Sequence, residues 1–582
     1  MSAPGAGGTE GFFQQGPSLP NPFDVDTLLQ QILERRLPDG AWEEVRDDLS
    51  RFGARAAGEM LAWADDAEAN QPTLQQYDAW GRRVDVIHTS AGWDALQDVA
   101  AEEGIVAIGY ERRHGWGSRL HQMAKLLLYH PSSAVASCPL AMTDGAARLL
   151  EAATDEGGLR AKERALPRLL SRDPATFWTS GQWMTERTGG SDVGGTETIA
   201  RAEEGLPGGA THRLFGTKWF TSATNSQMAM TLARIEVDGQ TRPGSRGLSL
   251  FFVETRGDDG QLRDIEVLRL KDKLGTKALP TAELLLRGTP ATLVGEVGRG
   301  VPTITRLINV TRLYNTICAV GFLTRGLQLA RDYAKRRTVF GRPLAEQPLH
   351  LATLAELAVE RAGGLVLAMH CAELLGREDV GEASEDDVAE LRLLTPLAKL
   401  YTAKQCVAGV SEVLESFGGA GYVEDTGIPR LLRDGQVLSI WEGTTNVLSL
   451  DALRAIQRDD ALRPALGRAM ERAKQASRIP ALQAAASAVV EAAGAAAQWL
   501  PDAFAQGEDA VSAGARDFAF GLSRITAGAL LLEQAAWSLE QKSDEAPLMA
   551  AQRWCAQDLA PFRTVGVRDD AARGADRVLG MG

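Results

Sequence analysis

A single carboxylate, Glu442, stands in the stretch LSIWEGTTNV from Leu438 to Val447. It directly follows an apolar, aromatic run and is followed by Gly-Thr-Thr-Asn. Glutamate is seldom fully buried unless paired. An apolar setting disfavours its charge, raises its pKa and suits it to act as a base. The structural alternative is a turn in which Thr444 or Thr445 caps a helix over VLSLDALRAI.

Four other stretches carry groups that could hold a ligand. WMTERTGGSDV, Trp183 to Val193, places Thr185 and Ser191 around a Gly-Gly pair where backbone can approach a ligand closely. Hydroxyls and free N–H groups in such a loop can hydrogen-bond a flavin ring and its pyrophosphate. GTKWFTS, Gly216 to Ser222, reads as a strand whose alternation puts Trp219 and Thr221 on one face, an indole and a hydroxyl beside an isoalloxazine. In RRTVFG, Arg336 to Gly341, Arg337 can pair with a phosphate and Phe340 can pack on an aromatic base. FGGAGY, Phe417 to Tyr422, has glycines that would let backbone touch a nucleotide. Each has a plain alternative: an ordinary turn, a core tryptophan, a basic helix terminus and a helix C-cap.

These stretches need elements to position them. From about 24 to 170 the apolar spacing is helical, as in DTLLQQILERRL, RAAGEMLAWADDAE and SRLHQMAKLLLYH. Between about 178 and 294, short β-prone runs divided by Gly, Pro and Asp predict a compact, antiparallel β domain. Helices return at Val301 with one long amphipathic helix ending at Gly341. Two further long helices, 348–375 and 384–417, join the helix after Glu442 in a four-helix bundle. Ala-rich helical sequence follows Arg454, with proline breaks at Pro501 and near Pro547. The expected division is a Gly/Pro-rich arm over 1–23, a helical domain over 24–176, a β domain over 177–295, a bundle over 296–455 and an extra helical domain over 456–582. No G-x-G-x-x-G follows a strand and opens a helix, so a nucleotide must bind by a route other than a Rossmann turn.

Composition narrows the function classes. A chain of 582 residues is too long for one core. Its 44% apolar and 24% charged content are those of an ordinary globular protein. Five scattered cysteines without a C-x-x-C pair, and seven histidines without H-E-x-x-H, indicate neither a disulfide framework nor a metal site. The net charge of −14 disfavours bulk attraction to nucleic acid or anionic membrane. With no membrane-length apolar run and no secretory or transit pattern, a cytoplasmic location is expected.

Taken in this order around α, β and α domains, the segments resemble the acyl-CoA dehydrogenase family over roughly 24–454. MTERTGGSDV, GTKWFTS, LKDKLGTKALPTAEL, FGRPLAEQPL and SIWEGTTNVLSLDALRAI, with the extra C-terminal helices, look most like its AidB-like branch. The resemblance implies an α+β chain of acyl-CoA dehydrogenase type, acting in fatty acid metabolism as a homotetramer with FAD held between subunits. It implies flavin and pyrophosphate contacts at Met184, Thr185, Gly190 and Ser191, and a flavin-flanking strand at Trp219 and Thr221. Arg337, Phe340 and Gln347 would reach a neighbouring subunit's FAD, with Gly418 and Gly419 beside it and Thr444 and Asn446 just after the base.

Glu442 would be that base, removing the α proton of an acyl-CoA thioester while the β hydrogen leaves as hydride to flavin N5. Trp441 and Ile440 would keep its carboxylate poorly solvated, and the Glu442 backbone N–H would bind the thioester oxygen. Arg312, Trp441 and Gly443 fall at substrate positions. Relatives that bind CoA well often carry Asp where this chain has Asn309, which weakens that contact. The implied electron acceptor is an electron-transfer flavoprotein; an oxidase using O₂ is the alternative. DNA association is a further alternative, disfavoured because the sequence from 451 onward has slightly more acidic than basic side chains.

Overall fold

The computed structural model describes residues 15–564; the remainder, including most of the expected arm, lies outside the described residues. Eight helices open the chain: α1 (Thr27–Arg36), α2 (Trp42–Ala56), α3 (Glu59–Ala69), α4 (Ala91–Glu102), α5 (Ile108–Glu111), α6 (Gly117–Tyr129), α7 (Ser137–Glu151) and α8 (Glu156–Leu169). The helical reading of this region missed a hairpin, β1 (Thr73–Tyr77) and β2 (Arg83–His88), between α3 and α4. The hairpin is held by a distant partner. Asp85 accepts from the backbone N–H of Val267 at 2.9 Å, and Arg83 donates to the Val267 carbonyl at 2.8 Å.

The middle strands are β3 (Ser180–Trp183), β4 (Ile199–Ala202), β5 (His212–Ser222), β6 (Met228–Val237), β7 (Gln240–Thr241), β8 (Leu248–Glu254), β9 (Ile265–Leu270) and β10 (Thr281–Val294). The order β6-β4-β5-β10-β8 closes on itself through a β6–β8 pairing, so the sheet curls into a barrel. Pairing is antiparallel except where β3 and β4 run parallel to β6. Trp183, Leu214, Phe251, Val253 and Leu284 form one core. Met228, Met230, Leu248 and Leu250 pack the other face against Leu149, Leu150 and Leu307 of the helical domains.

The bundle consists of α9 (Gly300–Arg336), α10 (Pro348–Asp379), α11 (Glu385–Ser416), α12 (Ile428–Val437) and α13 (Thr445–Asp459). Ser384 and Asp387 form a reciprocal capping box at the start of α11, and three acidic residues in its first turn complement the helix dipole. The long helix ends at Arg336, short of the expected Gly341. A hairpin of β11 (Thr338–Val339) and β12 (Arg342–Pro343) follows. Phe340 and Gly341, both at positive φ (49° and 81°), are its central residues, the geometry of a two-residue type I′ turn.

The extra module comprises α14 (Leu462–Ala476), α15 (Gln483–Gln506), α16 (Glu508–Lys542) and α17 (Ala546–Cys555). Pro501 does not break α15, which runs on to Gln506. The carbonyl that its missing N–H leaves free belongs to exposed Ala497, where water can satisfy it. Pro547 lies in the first turn of α17, a position that needs no intrahelical N–H partner. The module joins the bundle through a buried charge cluster. Glu390 of α11 meets His370 at 3.1 Å and Arg468 of α14 at 2.5 Å, and Arg36 of α1 bridges Glu373 and Glu533 of α16. Among the described residues, no helix is long and apolar enough to cross a membrane.

Candidate active site

Glu442 stands on the turn between α12 and α13, in an unusual conformation. Its φ is 56°, and Gly443 follows at φ 106°. A left-handed conformation costs a side-chain-bearing residue about 1–2 kcal/mol, so the surroundings must hold it. Two buried cations do so. Arg312 of α9 donates from Nε to the Glu442 carbonyl at 3.2 Å, and Lys399 of α11 donates from Nζ to the Gly443 carbonyl at 2.7 Å. The second arm of Arg312 is paired with Asp451 of α13 at 2.6 Å, and Arg392 holds that carboxylate at 2.8 Å.

Glu442 is partly buried, and desolvation pushes the pKa of its carboxyl up. The polar side chains of Thr311 and Gln182 and the charges of Arg312 and Lys399 pull the other way without reversing the shift. Trp441 and Ile440 contribute less shielding than expected, since Ile440 is 54% exposed. Desolvation comes from residues far away in sequence. The sequence pointed to neither Thr311 nor Gln182, and Lys399 was marked only by being a lone lysine within the apolar run LLTPLAKLY.

The turn also settles the capping question. Thr444 has the extended backbone of an N-cap residue, but its side chain makes no cap hydrogen bond and it stays exposed. Its hydroxyl is therefore left for another partner. Asn446 accepts from Arg516 of α16 at 3.2 Å, so the extra module reaches this turn.

The Met184–Ser191 loop is anchored by a buried ion pair that sequence reading did not single out. Glu186 accepts from Lys218 of β5 at 2.6 Å, from the Thr198 hydroxyl at 2.5 Å and from the Glu197 N–H at 2.6 Å. Those donors hold the Glu186 carboxyl below its ordinary pKa, despite the burial that opposes them. Thr185 faces Gly190: a Cβ at that glycine would lie 2.6 Å from the Thr185 hydroxyl. The Thr185 carbonyl accepts from the Trp219 N–H at 3.0 Å, which brings loop and strand together.

Strand alternation does not hold at Trp219 and Thr221. Thr221 pairs with Ala282 and Lys218 with Leu284, so Trp219 and Phe220 together oppose Glu283 in a β-bulge. Thr221 turns inward and its hydroxyl donates to the Ala282 carbonyl at 2.8 Å. Trp219 is 40% exposed, with the Lys271 ammonium 3.6 Å from its ring centroid.

The remaining candidates lie apart from the base. Phe340, on the tip of the β11–β12 hairpin, is 99% exposed, with Arg337 at the hairpin's foot. Gln347 donates to the Val339 carbonyl at 3.1 Å and so braces the same hairpin. Gly418 (φ 62°) and Gly419 form an open turn after α11 where an added Cβ would meet nothing. Arg312 is committed to the base turn and Asp451. Asn309 does not reach that turn. It lines a small cavity of about 10 Å³ with Leu313, Thr316, Cys371 and Ala398, and its buried Oδ1 has no protein partner.

Four family models tile the chain. They are the N-terminal domain of the adaptive response protein AidB over 17–173, the acyl-CoA dehydrogenase middle domain over 181–289, the acyl-CoA dehydrogenase C-terminal domain over 298–457 and the acyl-CoA dehydrogenase 11 C-terminal domain-like family over 465–577. Acyl-CoA dehydrogenase family member 11 of Caenorhabditis elegans is 44% identical over 557 residues, covering 94% of this chain and 89% of its own length. The putative acyl-CoA dehydrogenase AidB of Escherichia coli is 32% identical over 398 residues, 67% of this chain and 70% of its own.

Among solved structures, Caenorhabditis elegans ACDH-11 in complex with C11-CoA superposes with a TM-score of 0.93 at 42% identity, covering 98% of this chain and 97% of that one. An acyl-CoA dehydrogenase complexed with FAD from Bacillus anthracis shares the fold, with a TM-score of 0.69 at 19% identity over 94% of this chain and 90% of that one. Helical domain, barrel, bundle and added helices all recur in these relatives, and the chain belongs to the acyl-CoA dehydrogenase family.

Proposed function

We propose that the protein is an FAD-dependent acyl-CoA dehydrogenase in which Glu442 is the base that removes the α proton of an acyl-CoA thioester. The observation that carries this reading is the partly buried, charge-disfavoured carboxyl of Glu442, held in a left-handed turn by partners from two other helices. A carboxylate used as a base gains basicity when its pKa is raised towards the working pH. Thr311 and Gln182 lie beside the carboxyl as neutral polar neighbours, and the anchored Glu442 and Gly443 carbonyls aim the turn.

The chain's open surfaces fit FAD. Phe340 offers an unpacked ring, Trp219 a half-exposed indole, and the Gly418–Gly419 backbone leaves room for close approach. Met184, Thr185, Ser191, Thr444 and Asn446 would hold it on this chain. The nearly complete exposure of Phe340 suits a site finished by a second copy, where Arg337 and Phe340 would grip the cofactor. When bound, the cofactor supplies the acceptor for the hydrogen and electron pair that leave the β carbon. The α proton goes to Glu442. An electron-transfer flavoprotein is the proposed onward acceptor. The complex of the Caenorhabditis elegans relative with C11-CoA supports an acyl thioester of similar length as substrate.

The test is an anaerobic titration of the FAD-loaded protein with a series of acyl-CoAs, C11-CoA among them, followed by flavin absorbance. Bleaching by at least one acyl-CoA is expected. An oxidised spectrum throughout the series overturns the proposal.

A further inference from the structure

Lys399 is 1% exposed, yet among the described residues no carboxylate lies within ion-pair distance of it. Its hydrogen bond ends on the Gly443 carbonyl, one residue beyond the proposed base. A buried ammonium is costly unless something nearby benefits from its charge. The acidic group within its electrostatic reach is the Glu442 carboxyl, while Arg312 opposes it as a like charge. Helical register explains the placement: Arg392, Thr395 and Lys399 follow one another at spacings of three and four along α11, bringing Arg392 to Asp451 and Lys399 to the base turn.

We propose that Lys399 is a positioning residue for the base. Its Nζ pins the Gly443 carbonyl and with it the left-handed turn, and its positive charge favours carboxylate over carboxylic acid at Glu442. This inference rests on the reading of Glu442 given above. The titratable and charged groups facing the turn are Cys138 from α7, Arg312 from α9 and Lys399 from α11, with Asp451 of α13 and Arg392 of α11 behind Arg312. Thr311 and Gln182 add neutral polar side chains beside the carboxyl. Of the two cations Lys399 is the amine, the type of group whose pKa shifts readily on burial. Burial brings it down to about 7, opposed by Glu442 and aided by Arg312. Each of Glu442 and Lys399 favours the charged form of the other.

The experiment compares wild type, Lys399→Met, Lys399→Arg and Glu442→Gln as FAD-loaded proteins. The rate of flavin bleaching by saturating acyl-CoA is followed in stopped flow across pH 5.5 to 9. Removing the cation raises the pKa of Glu442, so the acidic limb of the Lys399→Met profile should move to higher pH by about one unit. Its rate near pH 7 should fall roughly tenfold, with FAD content unchanged. Lys399→Arg, which restores the charge, should return the limb towards its wild-type position even if the rate stays low.

A Lys399→Met protein that retains FAD and follows the wild-type profile overturns the inference. If Lys399→Met does not fold, Lys399→Gln keeps an N–H donor without the charge; a displaced limb there supports the inference and an undisplaced one overturns it. The two readings fail separately. Undiminished bleaching by Glu442→Gln removes the base assignment and the role of Lys399 with it. A slow Glu442→Gln beside pH profiles unchanged in the Lys399 variants removes only the latter.

Discussion

Glu390, on α11, and Glu442, on the turn that α11 braces, are both carboxylates desolvated by the fold, which treats them in opposite ways. Glu390 is pushed up by burial yet held down to about 2 by His370, Arg472 and Arg468. Glu442 is also pushed up by burial, but its two cations spend their hydrogen bonds on the Glu442 and Gly443 carbonyls, and its pKa stays raised. A buried carboxylate that meets cations directly is a structural link between elements. One whose cations brace the backbone keeps its proton affinity, which a base requires. Ligation of the carbonyls in place of the carboxylate is what separates the two.

Replacing each residue should break the comparison in its own way. Glu442→Gln should retain FAD and lower the rate of flavin bleaching by acyl-CoA by a factor of at least ~10², measured in anaerobic stopped flow. Glu390→Ala should leave activity per folded molecule intact but cost about 3–5 kcal/mol in chemical denaturation, because His370, Arg468 and Arg472 lose their common partner. An activity loss without a stability loss at Glu390 would erase the distinction.

pH sharpens it further. The lowered pKa of Glu390 contributes stability that is present above the unfolded carboxylate value of about 4.3 and lost as pH falls towards about 2. Denaturation in that window should be less steep in Glu390→Gln. Glu442 carries the opposite sign: its raised pKa opposes folding as pH rises above the unfolded carboxylate value of about 4.3, and fully so above its folded value. Glu442→Gln should therefore show a small upward shift in Tm at pH 8 and none at pH 4. The smallest stability change belongs to the surface. Phe340→Ala should alter stability by less than ~0.5 kcal/mol, since the ring touches little within the subunit, while weakening FAD retention roughly tenfold, read by gel filtration of the loaded protein.

The helical and strand character of each region, the base candidate and the order of domains were all legible as local patterns. The legible part stops where the backbone departs from periodicity. Trp219 and Thr221 were paired by alternation, and a bulge opposite Glu283 turned Thr221 inward. The run RRTVFG read as a helix end, and positive φ at Phe340 and Gly341 made it a hairpin that lifts the ring into solvent. The β1–β2 hairpin escaped notice because its support comes from Val267, far along the chain.

By itself the sequence determined the helical or strand character of the main segments, the two short hairpins apart, because apolar period is a local property. It also determined that a glutamate followed by glycine and two threonines would sit at a turn before a helix. How that glutamate is held was decided only by tertiary structure. The groups that brace the Glu442 and Gly443 carbonyls come from 130 and 44 residues away, on α9 and α11. Electrostatic environment depends on distance in space, and no spacing along the chain encodes it.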